Sequence, residues 1–260
     1  VGDPVTFRSP QAGGSITDGN GGGTVNVIAD ELKLVADSDG GGVGLIGNHD
    51  NANGTPLVNA NAIDITVAEV AASAAQGIYL QETDSVLIDA VPSVDVVQVN
   101  FNSTAPTVGD TALSDLATTA NGPIKLVTLN GTITANEGSD ADGSVIAHGT
   151  GDVLLQSRET AEATAADVVI NASVTSTSGN IRIDSADAVD QNATVSTGGS
   201  GTILVTAVSG IDMSTGGGQT TQTAGGNIRL TVSGEADLVL GLVDATSAGD
   251  VSLSAGGSIT

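Results

Sequence analysis

Aliphatic and polar residues alternate in runs of three to five along most of this chain, with turn-forming residues between the runs. The clearest runs open on one recurring phrase: glycine, usually a polar residue, a β-branched residue, any residue, then an aliphatic one. It reads Gly122-Pro123-Ile124-Lys125-Leu126, Gly151-Asp152-Val153-Leu154-Leu155, Gly179-Asn180-Ile181-Arg182-Ile183, Gly201-Thr202-Ile203-Leu204-Val205, Gly226-Asn227-Ile228-Arg229-Leu230 and Gly249-Asp250-Val251-Ser252-Leu253. The phrases recur at intervals of 29, 28, 22, 25 and 23 residues, a mean near 25 with loops of variable length. Each interval holds two further short runs, such as Ala188-Val189 with Ala193-Thr194-Val195, or Leu238-Val239-Leu240 with Leu242-Val243. Alternation with a period of two, broken by Gly, Ser, Asp and Asn, predicts strands and not helices.

Three short strands per ~25 residues, repeated, predict an all-β parallel β-helix, or solenoid, in which each coil lies on the one before. The handedness of parallel crossovers favours the right-handed form. With adjacent rungs ~4.8 Å apart, about ten coils would make a rod ~50 Å long. The expectation is one continuous solenoid over residues 1–260, less regular over 1–120 and clearly repetitive over 121–260. In the earlier part, Val25-Asn26-Val27, Leu32-Lys33-Leu34, Ile63-Asp64-Ile65, Ile78-Tyr79-Leu80, Val86-Leu87-Ile88 and Val97-Gln98-Val99 read as strands. The Ala-rich stretches 67–76 and 111–120 are read as strands in preference to helical excursions, and 102–110, with Pro106 and Gly109, as a loop.

The stacking carries its own internal check. Four of the six cations, Lys33, Lys125, Arg182 and Arg229, fall between two inward aliphatics, a position that points outward on a strand. Across the six phrases the outward residue runs Lys125, Leu154, Arg182, Leu204, Arg229, Ser252. Stacked in that order, like charges sit two rungs apart instead of facing one another, where they would repel.

Composition changes the picture by exclusion. Aromatic residues are 1% of the chain, with no Trp and one Met, so the core must be a thin column of small aliphatics. The absence of Cys removes disulfides, thiolate zinc and cysteine catalysis. A formal charge of −24 argues against nucleic acid and anionic membrane surfaces as partners. No apolar run approaches the ~18 residues that would insert in a membrane. The chain starts at Val1 with no charged-then-apolar leader, so any signal peptide is expected to be gone or to lie upstream.

Candidate chemistry is sparse. Polysaccharide-cleaving β-helices need carboxylates clustered with a cation in an aromatic-lined groove, whereas Phe7, Tyr79 and Phe101 are the whole aromatic supply. Asp184, Asp187 and Asp190 come nearest to such a cluster and read as solvated turn carboxylates, so no catalytic residue and no enzyme activity is expected. The one cofactor candidate is Ca²⁺. Asp37-Ser38-Asp39-Gly40 and Asp140-Ala141-Asp142-Gly143 resemble the start of calcium loops, which makes Asp37, Asp39, Asp140 and Asp142 the candidate metal ligands. A local twelve-residue loop would end on Asn48 or Gly151, and neither supplies the bidentate Glu. Thr132-Ile133-Thr134, Thr175-Ser176-Thr177 and Thr221-Gln222-Thr223 raise an ice- or ligand-binding face, but they do not recur in every coil. His49 and His148 have polar neighbours and read as exposed loop residues.

The phrases at Gly226 and Gly249, the latter running through Gly256-Gly257-Ser258-Ile259-Thr260, resemble large bacterial surface and secreted proteins built of β-strand repeats, including filamentous-haemagglutinin-like adhesins. Residues 44–57 followed by Gly77-Ile78-Tyr79-Leu80 resemble a recurring unit of the same proteins. The resemblance implies a non-enzymatic structural or adhesive role, outside the cell or at its surface, with surface glycans or a partner cell as binding targets. The Asn-Pro-Asn motif of two-partner secretion is missing. Neither end reads as a cap. The expected partners are therefore further segments of the same long chain, or copies of itself stacked end to end into a filament. The alternative functions are a carbohydrate-active β-helix enzyme and a ligand- or ice-binding solenoid.

Overall fold

The computed structural model describes residues 4–9, 13–37, 42–49, 59–160, 165–214, 219–246 and 248–260. Among them there is no helix, and the strands form parallel sheets joined by crossovers, with a single two-stranded antiparallel pair beside them. The parallel solenoid expected from the repeats is the fold observed.

Each regular coil contributes three rungs, one to each of three ladders. In the coil that starts at Ile124 these are Ile124–Thr128, Ile133–Ala135 and Val145–Ala147. The next coil lays Val153–Ser157, Val168–Ile170 and Val174–Ser176 on them in parallel. The pattern repeats through Ile181–Ser185, Ile203–Ala207 and Ile228–Val232 to Val251–Ser254. Among the described residues the first ladder holds nine rungs.

Register follows the repeated phrase. Ile78, Ile124, Val153, Ile181, Ile203, Ile228 and Val251 form one file, and Leu80, Leu126, Leu155, Ile183, Val205, Leu230 and Leu253 form the next. All but the members on the last rung are buried. The period of two puts these aliphatics inside and the intervening residues outside. The outer file is Tyr79, Lys125, Leu154, Arg182, Leu204, Arg229, Ser252, so cations alternate with neutral residues as expected. Lys125 also lies 5.8 Å from the Tyr79 ring centroid, where the ring face attracts a cation.

The glycine of the phrase has a steric cause. A Cβ on Gly151, Gly179, Gly201, Gly226 or Gly249 would lie well under 3.0 Å from the carbonyl oxygen of the equivalent glycine one coil earlier. No other residue lets the two backbones approach so closely at this corner. The corner is polar but satisfied. The Ser176 and Thr197 hydroxyls donate to the Gly151 and Gly179 carbonyls at 2.7 and 2.6 Å. At another turn Asn136, Asn171 and Asn192 stack, each amide donating to the side chain below, starting from Asp89, at 2.9–3.0 Å. Two of these asparagines belong to Asn-x-Ser/Thr sequons, yet their amides are engaged in the stack.

The first 120 residues depart from the three-rung plan. Glu69–Ala74 is one long strand that underlies two ladders: Glu69 and Val70 pair with Leu87 and Ile88, while Ala72, Ser73 and Ala74 pair with Leu116, Ala117 and Thr118. Both Ala-rich stretches thus contain strands, Glu69–Ala74 and Leu116–Thr118. Where the ladders diverge, the chain leaves the solenoid. Val91 and Leu113 exchange two backbone hydrogen bonds at 2.8 and 3.0 Å and close the base of an excursion. Within it, Asp95–Val97 pairs antiparallel with Thr107–Gly109. This corrects two expectations. Val97-Gln98-Val99 is not a rung, and 102–110 is not simply a loop, because strands from these segments pair with each other and not with a rung of the solenoid.

Candidate functional site

The excursion rejoins the solenoid at Ser114 and Asp115, and one coil later the segment 137–143 passes over the same point. Leu116 pairs with Val145, so Asp115 and Ser144 stand side by side at the start of adjacent rungs. The Asp115 carbonyl accepts the Ala72 N–H at 2.8 Å, which fixes the residue against the preceding coil. The upper segment is tied down by Ser114, whose hydroxyl accepts the Ser139 N–H at 2.9 Å and lies 2.8 Å from the Ser139 hydroxyl. Gly143 N–H donates to Glu137 Oε1 at 3.1 Å and closes the turn. Asp115 and Ala141 both adopt positive φ, 67° and 62°, a conformation uncommon for residues with a Cβ.

This geometry brings the carboxylates of Asp115, Asp140 and Asp142 together, with one oxygen of each within 4.8 Å of the others. Asp140 and Asp142 face solvent, whereas Asp115 is only 1% exposed. Neither Asp115 carboxylate oxygen has a hydrogen-bond partner. Burial first, then its close approach to the Asp140 carboxyl and the charges of Asp140, Asp142 and Glu137, push its pKa up to about 8. Asp142 is raised as well, by burial and by Asp140. Clustered carboxylates repel one another, and a bound proton or cation relieves that repulsion. Among the described residues this is the one group of three or more His, Asp or Glu side chains spaced to share an ion.

Of the four ligands expected from the sequence, the structure joins Asp140 and Asp142. Asp37 lies elsewhere: its carboxylate accepts the backbone N–H groups of Gly13, at 2.9 Å, and of Gly42, so it closes a turn. Asp39 lies outside the described residues. Asp115 escaped a reading based on local calcium loops because it comes from the preceding coil. The 25-residue separation from Asp140 is close to the mean coil length, but the coil here is 29 residues long, as Leu116 paired with Val145 shows, so the spacing alone does not mark the pair. Gly151, the twelfth position of a local loop from Asp140, is instead a member of the glycine file.

The other candidates are engaged elsewhere. Asp184 binds Arg182 at 2.7 Å, Gln156 at 2.6 Å and the Thr206 hydroxyl. Asp187 accepts the Ala166 N–H at 2.9 Å, and the strand Ala188–Gln191 carries Asp190 away onto the second ladder. The three do not share an ion-sized site. Thr221 and Thr223 are fully buried, whereas Thr132, Thr134 and Thr175 are half-buried and Thr177 is exposed, so the three motifs do not share one outward threonine face. His49 and His148 are exposed, as expected.

The second distinctive surface is the excursion itself. Phe101 at its tip is fully exposed, and Val96, Val97, Val99 and Val108 are exposed along its strands. Its base is locked by Lys33, the cation expected to point outward into solvent. Lys33 does lie outside the aliphatic column, but the excursion covers it to 1% exposure. Its ammonium donates to the Pro92 and Thr111 carbonyls at 3.0 and 2.7 Å and to Asp110 Oδ1 at 2.8 Å. Burial works against the Asp110 charge, yet the bonds from Lys33 and the Val94 N–H hold its pKa below the usual carboxylate range.

No protein family, curated protein or solved structure matches this chain. No helix of the described residues is long and apolar enough to cross a membrane.

Proposed function

We propose that this chain is a non-enzymatic structural and adhesive segment of an extracellular β-helical rod, of the kind found at bacterial surfaces. The observation that carries the reading is the unbroken register of the first ladder, from Gly77–Glu82 to Val251–Ser254, with every inward file continuous. Such a stack is extended and couples each coil only to its neighbours, which suits a spacer that holds something away from an anchor. The valine-lined excursion ending in Phe101 is the contact element on this reading, because it places apolar area beyond an otherwise acidic rod. Copies of the rod, or further coils of one long chain, extend it along its axis.

Negative-stain images should show rods, and a chain in which 95–109 is replaced by a short Gly-Ser link should keep the rod but lose binding to cells or glycan-coated surfaces. Compact particles would refute the structural half. Equal binding by the shortened chain would refute the assignment of the contact element, and release of reducing sugar from a polysaccharide would refute the non-enzymatic reading.

A further inference from the structure

We propose that Asp115, Asp140 and Asp142 bind one calcium ion, which clips two successive coils together at the corner where the excursion rejoins the solenoid. Two independent features converge on this point. The first is the spacing: one oxygen from each carboxylate lies within 4.8 Å of the others, a gap that an ion with metal–oxygen distances of about 2.4 Å spans. The second is Asp115, nearly fully buried, aimed at the other two acids and accepting no hydrogen bond at either oxygen. A buried carboxylate with no donor loses its hydration without replacement, and a cation supplies it. Glu137 adds a fourth negative charge nearby.

All of these ligands are hard oxygens, which select calcium or magnesium over softer metals. Magnesium demands near-ideal octahedral geometry at 2.0–2.1 Å and keeps most of its water, whereas calcium accepts irregular carboxylate sets. Two exposed acids on a turn and one buried acid on a rung make such an irregular set. The ion joins coils that also meet here through backbone bonds, core packing and the Ser114–Ser139 contact. It therefore stiffens the base of the excursion, and this holds whether or not the rod is adhesive.

The test is calorimetric titration of CaCl₂ into the whole chain, stripped with a chelator, in 0.1 M KCl, where the Debye length of about 10 Å suppresses diffuse counterion binding. Melting is followed by circular dichroism on the same samples. One saturable site is expected, with affinity falling at least tenfold in Asp115→Asn and Asp142→Asn and unchanged in Glu235→Gln, an exposed acid outside the cluster. The unsubstituted chain should melt several degrees higher with calcium. Asp115→Asn, which replaces a buried carboxyl crowded by other acids with a neutral amide, should melt at least as high as the unsubstituted chain without calcium and gain nothing from the ion. Asp142 is exposed, so its variant reports on the site even if Asp115→Asn fails to fold. Absence of a saturable site, equal calcium affinity in Asp142→Asn, or magnesium binding as tight as calcium would overturn the assignment.

Discussion

Replacing Gly179 by alanine puts a methyl group well under 3.0 Å from the Gly151 carbonyl oxygen, inside any contact a real side chain makes. An ordinary carbon–oxygen contact is about 3.3 Å or longer, so the two coils must part by about an ångström. Little at this corner can yield. The Gly151 carbonyl accepts the buried Ser176 hydroxyl at 2.7 Å, and that hydroxyl accepts the Gly179 N–H at 2.9 Å. Immediately beyond, Val153 N–H donates to Asn180 O across the same gap at 2.8 Å. Overpacking of this kind costs about 1–3 kcal/mol, and each strained buried hydrogen bond adds about 1 kcal/mol. Alanine returns about 0.4–1 kcal/mol by restricting the unfolded chain. The net expectation is a loss of about 2–3 kcal/mol. Gly19→Ala is the control, because a Cβ there meets nothing within 4 Å. Since a solenoid need not unfold in one step, urea melts should be paired with hydrogen exchange read by peptide. Protection should fall in Val174–Ser176 and Ile181–Ser185 and persist in Gly77–Glu82. If Gly179→Ala matches Gly19→Ala in both measurements, the steric account of the glycine file is wrong.

Three further outcomes follow from the same contacts. Lys33→Met removes the ammonium that ties Pro92, Thr111 and Asp110 together. It should cost about 3 kcal/mol or less locally, because it leaves a largely buried carboxylate without its partner; limited proteolysis should then cut between residues 97 and 107 faster than in the unsubstituted chain. Leu204→Lys places cations on three consecutive rungs with Arg182 and Arg229, about 4.8 Å apart. It should lower stability by about 1 kcal/mol at low salt and recover in 1 M NaCl, and a salt-independent loss would point to packing instead. Glu82 occupies the inward file of Thr128, Ser157 and Ser185, and burial raises its pKa to about 8 despite bonds from the Val67, Thr83 and Asp84 N–H groups, with the Asp84 charge adding to the rise. The unfolded chain releases this proton near pH 4.5, while the folded chain holds it until about pH 8. Stability should therefore fall as pH rises between those values, and Glu82→Gln, which mimics the protonated acid, should flatten that slope; an unchanged slope would refute the shift.

What could be read along the chain was whatever depends on the immediate neighbours of a residue. Alternation at a period of two selects strands, and the spacing of Ile124, Val153, Ile181, Ile203, Ile228 and Val251 selects one stacked file, because each phrase buries the same face. The glycine that opens each phrase was legible as a marker, while its cause, the carbonyl of the coil below, appears only once the coils are stacked. The strand ends were less legible: Val25-Asn26-Val27 reads as a rung, but the strand is Val27–Ile28. Runs this short leave the backbone pairing with the adjacent coil to decide their ends.

The alternating pattern by itself determined the parallel solenoid, its aliphatic column and the alternation of cations on its outer face, since each follows from a local period repeated at near-constant spacing. Only the tertiary structure decided which residues meet across coils. Coils that vary from 22 to 29 residues leave lateral neighbours undefined in the sequence. For that reason the union of Asp115 with Asp140 and Asp142, the burial of Lys33 under the excursion, and the pairing of 95–97 with 107–109 become visible only when one coil is laid upon the next.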